Sequence, residues 1–498
     1  MLYNLDWLKT GETFPPPSEV ARLTRYRQNL QLFDGDHFST SAHRHLDNAG
    51  VSVYDLCARR IAQVVGNFDD VVSFPTLLNY QRLMTLKMAD LICGEPPTIS
   101  GESSDHSQQI EDARDYIDFD TKLYAAVIDI SRYGDAVLRV FLDEEGNKNV
   151  TTWEPMEWFP IVSPDSTNRI TEHVLCWREN VSKDTYSPKW LLHAQVHYKG
   201  YYLYKVFELA DMSGRIGAQI SSSRVLTGID MNAVIHLKSF STTNTVYGYD
   251  DYMPIDSILA ELMARIGQIS AILDKHADPN ITGPASMLAI DPATGEYRLN
   301  AGKFYAVSPG EDQPKYMTWE GQLNAAFKQL ELLINQLYIL SEMGAALLGS
   351  QQGSSQAVSG TAMRFKMVNP LAKARRVANA LTRPVRSLFS TLLPEIERKN
   401  ISVFWSDGLP EDPRENVELI KLATGVTQMI PLEIAITEYF NRSPEEARSW
   451  IKKIAKEQEE RMIVKDPNRP GPNDGTGINP QKKGSEMGLN DFSGLNNK

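Results

Sequence analysis

Apolar residues along this chain follow two different periods, and the switch between them outlines its architecture. Residues 18–33 keep a three-and-four spacing that predicts a helix, stopped by the turn Asp34-Gly35-Asp36. A second helix is predicted over 76–92, ending at Gly94 with Pro96 and Pro97 just beyond. A third is predicted over 108–132. From Ala136 to about Leu237 the period falls to two, in runs such as AVLRVFL, HVLCW and WLLHAQVHYKGYYLYKVFEL. The runs are parted by turns such as Asp143 to Asn147, so this stretch reads as antiparallel β-structure.

Helical spacing returns over 254–276, with Ile255, Ile258, Leu259, Leu262, Ile266, Ile269 and Leu273 on one face. Prolines and glycines then break the pattern over 277–318, where the short runs SMLAI, YRLN and KFYAV predict a small β insert. A further helix is expected over 320–348, carrying Leu323, Phe327, Leu330, Ile334, Leu337 and Leu340 along one side. Two helices of about 23 and 29 residues, roughly 35 to 43 Å long, thus flank a compact β tip as an antiparallel pair.

After the loop LLGSQQGSSQAVSG, residues 359–398 predict a helix striped by Met367, Leu371, Ala374, Ala378, Leu381, Val385 and Leu388. Pro370 and Pro384 lie within it, so it should be kinked. A short strand, ISVFW, follows. Asp412-Pro413-Arg414-Glu415 and Ser443-Pro444-Glu445-Glu446 then each combine a capping side chain, a proline at the first helical position and a glutamate three residues on. From Lys465 onward Pro, Gly and Asn dominate, and disorder is expected.

Charge sharpens one part of this picture. The 498 residues carry a net −12, yet Met343 to Pro394 contains no aspartate or glutamate. That window holds Arg364, Lys366, Lys373, Arg375, Arg376, Arg383 and Arg386, so it is +7 and the remainder is −19. Its first part, to Met363, has no charge at all. A neutral loop of Gly, Ser and Gln beside an acid-free helix suits a place near a polyanion that must not be gripped. A solvated basic helix face beside an ordinary loop is the plainer reading. The acidic balance excludes general coating of nucleic acid. The widely spaced Cys57, Cys93 and Cys176 fit a reducing compartment and neither a disulfide framework nor a zinc site. No signal peptide or spanning segment is evident, which points to a cytoplasmic, non-membrane protein with no cofactor.

Catalytic patterns are weak. Gly302-Lys303 lacks the first glycine and the closing Ser or Thr of a phosphate loop, having Tyr297 and Phe304 there. His193 and His197 are four apart, but in a strand-like stretch and with Ala194 where a zinc peptidase needs glutamate, so they read as paired strand histidines. His43 and His45 read as solvated loop residues. Cys93 reads as a buried helix-end residue. Nothing calls for an enzyme.

The order of elements resembles the portal protein of long-tailed double-stranded DNA bacteriophages, the head-to-tail connector. Local runs carry the resemblance: RYRQNLQLFDGDHF (Arg25 to Phe38), KMADLICGEPPTIS (Lys87 to Ser100), SRYGDAVLRVFLDEEG (Ser131 to Gly146) with its Gly-Asp strand start, WEPMEWFPIVSPD (Trp153 to Asp165) and SGTAMRFK (Ser359 to Lys366). It spans about residues 18–460. It implies an α+β subunit with a mixed α/β wing, long antiparallel stem helices, a small β clip, a kinked wing helix and a helical crown. The implied divisions are an N-terminal arm and wing at 1–252, stem helices at 253–276 and 320–346, and a clip at 277–319. A tunnel loop follows at 347–358, the wing helix and strand at 359–410, a crown at 411–462 and a disordered tail at 463–498.

The same resemblance implies a homo-oligomeric ring, a dodecamer, at one capsid vertex. It is assembled in the host cytoplasm and carried in the virion, with double-stranded DNA passing through during packaging and ejection. Implied partners are the terminase packaging motor, which hydrolyses the ATP, a head-tail adaptor, and the major capsid and scaffolding proteins. Leu348, Gly349, Ser350, Gln351, Gln352, Gly353, Ser354, Ser355 and Gln356 would line the channel as the tunnel loop. The seven basic residues would meet acids of a neighbouring subunit in preference to DNA, because long interfaces use charge complementarity for register. Another ring-forming virion protein, such as a head-tail adaptor or minor capsid component, is the alternative, and an enzyme acting on nucleic acid is a further one.

Overall fold

The computed structural model describes residues 1–35, 78–182, 189–210, 214–240, 242–277, 281–282, 288–290, 297–299, 310, 315–316, 323–348, 365–406, 421, 431–439, 442 and 444–465. The chain divides into two units, Met1–Asp412 and Pro413–Lys498.

In the first unit α1 (Val20–Asp34) and α2 (Tyr80–Cys93) form near the expected positions. Gly35 closes α1 with φ of 84°, and the Asn79 side chain caps α2 by accepting the Arg82 N–H at 2.9 Å. The helix expected over 108–132 is two helices, α3 (Ser104–Tyr116) and α4 (Phe119–Tyr133). Asp118 takes φ of 50° between them, which lets both Ile117 and Phe119 be buried. Ser103 caps α3 through the His106 N–H.

The alternating region forms two antiparallel sheets. β2 (Asp135–Leu142) is central in a three-stranded sheet, order β3-β2-β9, with β3 at Lys148–Trp153 and β9 at Val234–Lys238. The second is a meander of five strands in sequence order, β4 (Trp158–Ser163), β5 (Ser166–Asn180), β6 (Trp190–Tyr198), β7 (Tyr201–Ala210) and β8 (Arg215–Leu226). Val174, Cys176, Leu192, Ala194 and Val196 pack one face of the meander against the N-terminal Leu2, Trp7 and Phe14. Trp158 and Leu175 pack the other face against Val137 and Val234 of the smaller sheet. A short sheet pairs β1 (Thr98–Ser100) with β14 (Ser402–Phe404).

Gly134 and Asp135 show why the strand after α4 starts as it does. Gly134 has φ of 85°, and a Cβ there would lie 2.5 Å from the Gly248 carbonyl carbon. Asp135 is fully buried. It accepts bonds from the Tyr26 hydroxyl of α1, from His236 Nε2 of β9 at 2.6 Å and from the Gly248 N–H at 2.9 Å. One carboxylate therefore joins a helix, a strand and a loop.

The long helices are α5 (Asp256–Ala277) and α6 (Leu323–Leu340). Between them β10 (Ile281–Thr282) pairs antiparallel with β13 (Lys315–Tyr316), and β11 (Leu288–Ile290) with β12 (Tyr297–Leu299). The run KFYAV lies outside the described residues. The helix expected over 320–348 is broken: α6 ends at Leu340, and a single turn, α7 (Gly344–Leu347), follows. The acid-free helix, α8, runs from Val368 to Leu392 and stops short of the expected end at 398, while 359–364 lie outside the described residues. Pro370 falls in its first turn, where it disturbs little, while Pro384 is interior and leaves the Ala380 carbonyl without its usual donor.

The main core joins α2, α4, α8, β2 and β9 with one end of the helix pair, through Met84, Leu123, Leu138, Leu237, Leu259 and Leu381 among others. Each such buried side chain contributes about 1.5–3 kcal/mol. Phe119 and Phe389 meet edge to face at 5.1 Å. In the second unit α9 (Leu432–Tyr439) and α10 (Pro444–Lys465) pack through Ala435, Ile436 and Ala447, and Arg448 pairs with Glu433 at 2.7 Å. The helix start at Pro444 is as expected, whereas 407–420 and 466–498 lie outside the described residues. Among the described residues no helix is long and apolar enough to cross a membrane.

Candidate functional site: the base of the helix pair

Leu337 of α6 and Ile255, Leu259 and Leu262 of α5 enter the same buried core. The β10–β13 pairing links the other ends of the two helices. The pair is thus antiparallel, with its base in the main core and its tip at the β insert.

Acidic side chains fix the start of α5. Arg25 of α1 reaches Asp250 at 2.7 Å and Asp256 at 2.6 Å. Asp256 sits in the first turn of α5, where the helix dipole favours a negative charge. Burial pushes its carboxyl up to about 6 in spite of Arg25. Asp251 accepts from the Ser131 hydroxyl of α4 at 2.6 Å and lies 2.7 Å from the Lys373 ammonium of α8. Thr85 of α2 completes the cluster, 3.1 Å from Ser131 and 2.7 Å from the Tyr252 hydroxyl.

The end of α6 is held by the same helix. Lys373 Nζ donates to the Ser341 carbonyl at 3.0 Å, and Arg376 pairs with Glu342 at 2.6 Å while lying 5.7 Å above the Phe240 ring. Among the described residues, Lys373 and Arg376 therefore pair within the chain. Arg375 and Arg383 lie exposed on α8, and Arg386, one turn beyond Arg383, is half-buried; the three share one helix face. Lys366 is exposed just ahead of α8, and Arg364 lies outside the described residues. Of the nine loop residues, Leu348 is half-buried against the main core, and Gly349 to Gln356 lie outside the described residues.

Apolar side chains remain uncovered on α6. Leu332 is 58% and Ile339 60% exposed. They are seven residues apart, on the side of the helix away from Leu330, Ile334 and Leu337.

The strand histidines serve packing. His193 Nδ1 lies 2.7 Å from the Tyr204 hydroxyl and its ring stacks on Trp177. His197 is fully buried against Tyr202. Burial lowers His173 to about 3, which suits its part as acceptor for the Trp158 indole N–H at 3.1 Å. Burial likewise pushes the Cys93 thiol up to about 12, so it stays an inert thiol. Among the described residues no group of three or more His, Cys, Asp or Glu could hold a metal ion.

The sequence reading missed Asp135, Asp251 and Glu342. Their partners are remote in sequence, and only the Gly-Asp pair at 134–135 carried a visible pattern.

Residues 76–189 match the family described as phage portal protein, SPP1 Gp6-like. The resemblance to phage portal proteins is thereby borne out, over a segment running from just before α2 to the start of β6. The match lies ahead of the helix pair and α8. Among solved structures, the chain is similar to one described as the neck of an empty GTA particle with C6 symmetry, at 15% identity and TM-score 0.45. It is also similar to the neck of a native GTA particle with C12 symmetry, at 14% identity and TM-score 0.40. Each covers 72% of this chain and 89% of the other. No curated protein matches.

Proposed function

We propose that this chain is a portal subunit, assembling as a ring at one capsid vertex around a channel for double-stranded DNA. The observation that carries the reading is α6. A helix apolar on opposite sides is one that is covered on both. One side of α6 packs on α5, and the other, with Leu332 and Ile339, is left for a neighbouring copy. In this reading the residues at 253–276 and 320–346 are the stem, those at 277–319 the clip that meets the packaging motor and later the adaptor, and those at 411–462 the crown. Arg375 and Arg383 face acids of the next subunit. The uncharged residues Leu348 to Gln356 border the DNA, which slides because the rest of the chain is acidic and few cations are offered to phosphates.

Native mass spectrometry and electron micrographs of the purified protein test this. A closed ring near twelve copies is expected. A monodisperse monomer at micromolar concentration overturns it, and a ring of clearly different size that supports no DNA packaging fits a head-tail adaptor instead.

A further inference from the structure

The apolar pattern of 323–348 is that of one helix, yet α6 stops at Leu340 and α7 restarts at Gly344. The residues between them contain no proline, and Glu342 and Met343 are good helix formers. Glu342 nonetheless adopts φ of 59°, a left-handed conformation unfavourable for any residue with a Cβ. Gly344, with φ of 67°, is a local breaker, and the left-handed Glu342 just ahead of it is held from outside the segment.

Two cations of α8 meet the break. Lys373 occupies the Ser341 carbonyl at 3.0 Å, the acceptor that the Ala345 N–H would use in an unbroken helix. Arg376 holds the Glu342 carboxylate at 2.6 Å. Within the break, the Ser341 hydroxyl takes the Met343 N–H at 3.3 Å, a donor that a helix would direct to the Ile339 carbonyl. Burial of Met343 in the core adds to the hold. The amides of Gly344, Ala345 and Ala346 are left at the start of α7, without the carbonyls of Leu340, Ser341 and Glu342 that a continuous ladder would give them.

We infer that Ser341 to Met343 form a two-state helix break, held by Lys373 and Arg376, and that α6 extends through Leu347 when those bonds are lost. Arg376 and Glu342 are 45% and 42% exposed, so theirs is the part of the clamp that a partner can reach. Lys373 is the buried part, anchored on Asp251. The device belongs to the chain's own fold and does not rest on the ring reading.

Residue-level hydrogen exchange on the full chain tests it, read at Gly344, Ala345 and Ala346. Glu342→Ala removes the Arg376 bond and keeps the left-handed penalty, so the helix should extend and exchange should slow about tenfold. Glu342→Gly removes the same bond but relieves the penalty, so exchange should stay at the wild-type rate or quicken. A Lys373→Met, Asp251→Asn double variant, which leaves no carboxylate unpaired, should slow exchange as Glu342→Ala does. Unchanged or faster exchange in Glu342→Ala, or slowing in Glu342→Gly, overturns the inference. So does faster exchange in a folded double variant. The two Glu342 variants decide the matter alone if the double variant does not fold, since Glu342 is partly exposed.

Discussion

The Lys373 ammonium lies 2.7 Å from Asp251 Oδ1, with both side chains largely withdrawn from water. Because Asp251 precedes α5 and the Ser341 carbonyl follows α6, one side chain of α8 grips the chain on both sides of the helix pair. An acid-free helix thus finds acids in the segments it packs against.

Removing one partner of this pair strands the other in a dry site. Lys373→Met should destabilise the chain by about 3–5 kcal/mol, because among the described residues Asp251 would keep the Ser131 hydroxyl, a neutral partner, and lose its cation. Adding Asp251→Asn should recover much of that loss. Urea denaturation of the two single variants and the double variant checks this. Strictly additive losses would show that the two side chains do not interact.

Gly134→Ala should be costly for two separate reasons. The left-handed backbone there, φ of 85°, penalises any Cβ, and that Cβ would come 2.5 Å from the Gly248 carbonyl carbon. A loss of about 3 kcal/mol or more is expected. It should appear as a lower denaturation midpoint with an unchanged slope. Full stability would mean that the 134 and 248 backbones are free to part.

How much could be read beforehand depended on the range of the interaction. The three-and-four spacing of α5 and α8 is local, and both helices lie where that spacing put them, α5 to within two residues at each end and α8 stopping earlier at its C-terminus. The β-region was equally legible, because period-two runs and the turn at Asp143 to Asn147 are written in consecutive residues. The break between α6 and α7 was only partly legible: Gly344 marks it locally, but Lys373 and Arg376, which contact it, lie more than thirty residues on. Asp135 was hidden for the same reason: Tyr26 and His236 are each over a hundred residues away. The seven basic residues were found from composition, but which of them pair inward was not. That depends on the helix face, with Lys373 turned to the core and Arg375 and Arg383 to solvent.

His197 should make the fold acid-sensitive in a defined way. Burial, and secondarily Arg139, lower its folded value to about 3 from the ordinary 6.5. Below pH 6.5 the unfolded chain takes up a proton that the folded chain refuses, so this group's contribution to stability falls as pH drops from 6.5 toward 3. Between pH 7 and pH 5 the loss is about 2 kcal/mol. Several carboxyls titrate in the same window, so the clean measurement is a difference. His197→Phe keeps a ring beside Tyr202 and removes the titration. Its stability relative to wild type should rise by about 2 kcal/mol from pH 7 to pH 5. A pH-independent difference would mean that His197 takes up protons as readily folded as unfolded.

Leu337 and Ile339 are two residues apart on α6 and should behave in opposite ways. Leu337 is fully buried on the α5 side, and Leu337→Ala should cost about 2–5 kcal/mol in the unfolding of a single subunit. Ile339 is 60% exposed, so Ile339→Glu should leave subunit stability within about 0.5 kcal/mol. If a neighbouring copy covers that side, the same variant buries a charge at every repeat of the interface. Assembly should then fail while circular dichroism stays unchanged, and Leu332→Glu should do the same two helical turns away. Sedimentation at several protein concentrations separates the cases. Rings that form normally in both glutamate variants would show that this side of α6 faces solvent in the assembly.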